Sequence, residues 1–143
     1  RIVGLVLIIL LALGFSVPRL SLGEKISLQL NQATFLVELA QTEAEQIQGL
    51  SGRPSLGENE GMLFIYATTT RPSFWMKEMN FPLDIIWINE NQVIVGYEEN
   101  VSPDTYPKTF SPDSVPVRYV LEVPAGTVIK NQLKTGDLIH FSL

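Results

Sequence analysis

Apolar and polar side chains alternate with a period of two in several stretches of this chain, and that pattern commits it to sheet. In Ile26-Ser27-Leu28-Gln29-Leu30 every second residue is apolar. The same spacing returns in Phe35, Val37 and Leu39, and again in Val117, Tyr119, Leu121 and Val123. It places one apolar row on one face of a strand and forms no stripe on a helix. Two other runs, GMLFIY at 61–66 and DIIWI at 84–88, are almost continuously apolar, as strands covered on both faces are. QVIVGY at 92–97 follows the Asn89-Glu90-Asn91 turn as a hairpin partner. Residues 72–79 and 138–143 are further strand candidates.

Helical signals are few. Thr42-Glu43-Ala44-Glu45 has the form of a capping box, and Gly49 suits the end of a helix about two turns long. Its inward side is expected to carry Ala44, Ile47 and Leu50. A second short helix is expected over 127–133. Residues 98–116 hold Pro103, Pro107, Pro112 and Pro116 and read as a long loop, of the kind that serves as a lid or binding loop or stays disordered. The expectation is an α+β, mainly β fold: a rolled antiparallel sheet or open barrel with two short helices. It forms one compact domain over residues 24–143.

Residues 2–17 are apolar and uncharged, with Arg1 before them and Pro18-Arg19 after. As a helix at ~1.5 Å per residue this run reaches about 24 Å, short of a hydrocarbon core of about 30 Å. A basic flank, an apolar run and then small residues is the order of a secretory signal, with Ser21 and Gly23 placed for a cut before Glu24. Residues 1–23 are therefore expected to be a signal peptide or a membrane anchor. The domain behind them is expected to be extracytoplasmic, periplasmic or secreted, or held at the membrane by residues 2–17 alone.

Charge and cysteine content narrow the function. The chain has no cysteine, which excludes disulfides, thiolate metal sites and a thiol nucleophile. Net charge is −5 and no Lys/Arg run exists, so the basic footprint a nucleic-acid binder needs is missing. There is no phosphate loop, no G-x-G-x-x-G and no G-x-S-x-G. His140 stands alone, without the spacing of a metal site. No cofactor and no metal are expected.

A set of short motifs occurs in order: Gly49-Leu50 with Arg53, Gly61-Met62-Leu63-Phe64, Phe74-Trp75-Met76-Lys77, Pro82-Leu83-Asp84-Ile85, Leu121-Glu122-Val123-Pro124-Ala125-Gly126 and Gly136-Asp137. Together they resemble the family known as domain of unknown function 192 over about residues 33–143. The resemblance implies a compact, mainly β fold in bacterial and archaeal proteins that often carry an export signal. It implies no established activity. The chain departs from the family's usual small polar pair, often Asn-Thr, after Lys77: here Glu78-Met79-Asn80 stand.

The candidate site residues are Arg53, Trp75, Lys77, Asp84 and Glu122. Asp84 heads a very apolar strand, where a carboxylate is either paired with turn amides or a base, or raised in pKa for acid chemistry. Lys77 and Glu122 are charges inside apolar strands, and the three would converge if their strands were neighbours. Arg53 and Arg71 lie on loops, where they are either ordinary surface charges or an anion site. Trp75 and Trp87 either line a groove or anchor the core. Two functions fit: an extracytoplasmic binding or interaction domain for a small molecule, glycan or envelope protein, or a small hydrolase or lyase with Asp84 and Glu122 as acid and base.

Overall fold

The computed structural model describes residues 23–143. The expected signal or anchor at 1–23 falls, but for its last residue, outside the described residues. Among the described residues no helix is long and apolar enough to cross a membrane.

The chain forms β1 (Lys25–Leu30), β2 (Ala33–Ala40), α1 (Glu43–Gln48), β3 (Glu60–Thr70), β4 (Phe74–Trp75), β5 (Leu83–Ile88), β6 (Ile94–Val101), β7 (Thr109–Phe110), β8 (Val117–Pro124) and α2 (Thr127–Lys130). Six strands make one sheet in the order β1-β2-β3-β8-β5-β6, and β4 pairs with β7 in a small separate sheet. The expected mainly β fold with two short helices is what forms. The sheet is mixed, however, because β2 and β3 run parallel. Helix α1 and the loop after it carry the chain back to the start of β2, as a parallel connection requires.

The sheet curls but stays open. Its two edges are tied by the C-terminal segment rather than by each other. Gln29 and His140 exchange backbone hydrogen bonds on the β1 side, while Ile94 pairs with Gly136 and Asp137 on the β6 side. The strand expected at 138–143 is therefore reduced to isolated bridges at Leu138 and His140.

Both faces of the sheet are covered. One carries Leu28, Phe35, Ile86, Leu121 and Val123 under α2. The other carries Met62, Phe64, Ile85, Trp87 and Val120 under β4 and Leu50. All six residues of β5 are buried, which is why its sequence shows almost no alternation. The long loop expected at 98–116 is partly structured: β6 extends to Val101, a 3-10 turn occupies Pro103–Thr105 and β7 follows. The strand expected at 72–79 shortens to Phe74–Trp75, which leaves Lys77 outside any strand.

Helix α1 has the expected box: the Thr42 hydroxyl accepts from Glu45 N, and the Glu45 carboxylate accepts from Gln41 N and Thr42 N. Its expected inward face is wrong. Ala44 is exposed and Ile47 is 71% exposed, while Leu50 beyond the helix is buried. Gln46 turns inward instead, its amide donating to the carbonyls of Ala40 and Ile65. In so short a helix, those two bonds to β2 and β3 set the orientation.

Candidate functional site: a groove over Glu122

Glu122 lies on β8 with Met62 of β3 on one side and Ile85 of β5 on the other. Both neighbours are apolar and offer it no side-chain donor. Glu122 is 5% exposed. Burial alone pushes its carboxyl up to about 8. Among the described residues none donates a hydrogen bond to it, and it lines an open groove rather than standing among the fully enclosed unpartnered atoms.

The side chain faces a groove of about 300 Å³ between the α1 end of the molecule and β4. Phe64, Tyr66, Phe74, Trp75 and Met79 supply its apolar walls, and Gln46, Gln48, Ser51 and Ser73 its polar rim. Phe64 and Phe74 meet edge to face, with centroids 4.8 Å apart, and Phe74 continues onto Trp87 at 5.7 Å. This stack fixes the inner wall. Trp75 is the outer wall and is 46% exposed. It packs against Tyr106 at 5.4 Å, and Lys77 Nζ lies 5.5 Å from its ring centroid. The Tyr66 phenol is raised well above its ordinary range, first by burial and then by the charge of Glu122.

The other candidates fall elsewhere. Asp84 is fully buried and accepts hydrogen bonds from Asn100 N and Val128 N, each at 2.8 Å. It ties β6 and the start of α2 to β5. Asp84 pairs with Val123 and Ile85 pairs with Glu122, so the two carboxylates leave opposite faces of the sheet. Acid–base chemistry shared between Asp84 and Glu122 is thereby ruled out, because the backbone of the sheet stands between them. Nor do Lys77, Asp84 and Glu122 converge: Lys77 is exposed, outside the groove. Arg53 spends its fork on Glu38, at 3.0 and 2.6 Å, which holds that carboxylate below its usual range. Arg71 donates to the carbonyl of Pro112. Trp87 is a core residue.

Tyr66, Phe64, Phe74, Met79, Gln46 and Ile47 line the groove but are not among the site candidates read from the sequence. Tyr66 closes an apolar run and carried a signal; an exposed Ile47 on a groove rim did not. A larger, more open depression of about 720 Å³ beside Gln29, Gln92, His140 and Phe141 holds no buried charged group. No cluster of metal-ligating side chains occurs among the described residues.

The fold is shared with solved proteins. A candidate transcription regulator from Sinorhizobium meliloti 1021 is 32% identical over 82% of this chain and 94% of its own, with a TM-score of 0.77. A protein of unknown function from Novosphingobium aromaticivorans DSM 12444 is 28% identical over 82% of this chain and 84% of its own, with a TM-score of 0.72. No curated protein matches the chain. The model of DUF192, described as uncharacterized ACR, matches residues 26–141 and so takes in β1 as well as the motifs read from the sequence. With that match spanning nearly all of the described domain, the chain belongs to the DUF192 family.

Proposed function

We propose that this domain is an extracytoplasmic binding module that takes a small molecule, or the protruding end of a glycan or envelope protein, in the groove over Glu122. The observation that carries the reading is a buried carboxyl without a protein partner on the floor of an aromatic cavity. A hydrogen bond from a ligand to this carboxyl, once ionised, contributes about 1.5–3 kcal/mol. Concave apolar sites with a few convergent polar groups and a perturbed carboxyl are where ligands bind. The exposed Trp75 and Ile47 on the rim add apolar surface that the fold itself does not use.

The proposed location rests on the apolar run at 2–17 with its basic flank. The domain is released if the chain is cut near Gly23 and held if it is not. Cell fractionation, with mass spectrometry of the first residue of the natural protein, tests this. Recovery of an uncut chain in the cytosol would contradict it.

The regulator name of the Sinorhizobium meliloti relative is not extended to this chain. A net charge of −5 and the lack of any Lys/Arg run in the sequence give no support for phosphate binding. Catalysis by paired carboxylates is not proposed either, given their opposite faces.

The binding reading is tested by titrating the purified domain with envelope sugars, peptides and small amines while following tryptophan emission. The response is expected to come from Trp75, persisting in Trp87→Phe and vanishing in Trp75→Phe. No response to any class would contradict it.

A further inference from the structure

The charge available to the groove is of one sign only, and that sign points to one ligand class. Gln46 Nε2 is committed to the carbonyls of Ala40 and Ile65, Gln48 Nε2 to Ser51 O, and the Ser51 hydroxyl to Lys77 O. On the α1 side the Gln46 amide and the Ser51 hydroxyl are therefore spent within the protein, and Gln48 keeps one free N–H. Among the described residues no Lys, Arg or His lines the groove, and its one group able to carry charge beside the neutral Tyr66 hydroxyl is the Glu122 carboxyl. An anionic ligand would find no cationic side chain to hold it.

The walls argue in the same direction. Phe64, Tyr66, Phe74 and Trp75 surround the cavity, and aromatic faces carry the negative end of the ring quadrupole. Lys77 already uses the Trp75 ring in this way from outside. Resting on the reading that this groove is the ligand site, we propose that it selects a small organic cation: an amine or quaternary ammonium whose charged head sits among the rings and is neutralised by Glu122.

A second consequence concerns protons. Among the described residues Tyr66, from β3, is the only other titratable side chain lining the groove. The elements packed around Glu122 otherwise present Met62 from β3, Ile85 from β5, Phe74 from β4, and Gln46 and Ile47 from α1. A cation favours the ionised carboxyl, so its binding releases a proton from Glu122 and tightens as pH rises through the titration of that group.

Choline and 3,3-dimethylbutan-1-ol have the same shape and differ in the charged centre. Calorimetric titration of the folded domain with each, at pH 6, 7.5 and 9, tests the inference. Choline is expected to bind at least tenfold tighter than the alcohol at pH 9 and to lose most of that preference at pH 6. Glu122→Gln should abolish the preference at every pH. Trp75→Ala, a rim change that leaves the buried floor intact, should weaken choline several-fold. Equal binding of the two compounds would overturn cation selection, and so would an unaltered preference in either variant. If a neutral sugar or the alcohol binds at this groove while choline does not, the groove stands as a site and only the cation class falls. If nothing binds there, both readings fall.

Discussion

Asp84 and Glu122 sit on adjacent strands, one step apart in the ladder, and point out of opposite faces of the sheet. The difference between them follows from that single step. Asp84 enters the face covered by α2 and meets two backbone amides. Glu122 enters the face covered by β4 and meets aromatic rings and an open groove. One carboxylate is tied into the fold; the other is left for something outside it.

Asp84→Ala leaves Asn100 N and Val128 N without their acceptor. Hydrogen bonds to a charged group contribute about 1.5–3 kcal/mol each, so the variant should lose roughly 3–6 kcal/mol of stability. Asp84→Asn keeps one acceptor and should lose less. Denaturant unfolding measures both. A loss below about 1 kcal/mol for Asp84→Ala would contradict the structural role.

Glu122 sets a pH slope of the opposite sign to that of a salt-bridged carboxylate. Its folded form holds its proton up to about 8, against an ordinary 4.5. Between those values the native state binds a proton that the unfolded chain has released. Stability therefore falls as pH rises from about 4.5 to about 8, then levels off. At about 1.4 kcal/mol per tenfold change in proton affinity, the total is a few kcal/mol. Glu122→Gln should flatten this part of the profile. Unfolding at pH 5, 7 and 9 reads it, and parallel profiles for the two proteins would contradict it.

Gly61→Ala should destabilise the sheet beneath the groove. A Cβ at Gly61 would stand 2.5 Å from the Glu122 carbonyl oxygen and 3.1 Å from Val123 Cγ1. Backbone cannot yield as a flexible side chain can, so the cost is at or above the 1–3 kcal/mol typical of overpacking. Thermal unfolding checks this; a variant as stable as the parent would show that β3 and β8 are less close than described.

Arg53→Ala removes a half-exposed bidentate pair with Glu38. The expected loss is about 1 kcal/mol, with no change in any binding read at Trp75. A variant that keeps its stability but loses binding would place Arg53 back in the site.

Much of the fold was legible because burial leaves a period. Residues 26–30 and 35–39 alternate and form β1 and β2; residues 84–88 lost their alternation because both faces of β5 are covered. The parallel β2–β3 pair was not legible, since nothing local distinguishes the direction from which a strand returns. Ile47 was misplaced because amphipathic spacing decides little in a helix held by Gln46. Glu122 was visible as a charge in an apolar strand. That it lacks a partner while Asp84 has two depends on which residue faces α2, and so on a register that the sequence does not state.

The central claim, that the groove over Glu122 is the ligand site, is tested most directly by amide NMR of the folded domain. The measurement is a titration with a panel of small cations, sugars and envelope peptides. Shift changes from a bound compound are expected to cluster at residues 46–51, 64–66, 73–79 and 122, and to weaken in Glu122→Gln. Changes centred instead on Gln29, Gln92 and His140, or none with any compound, would contradict it.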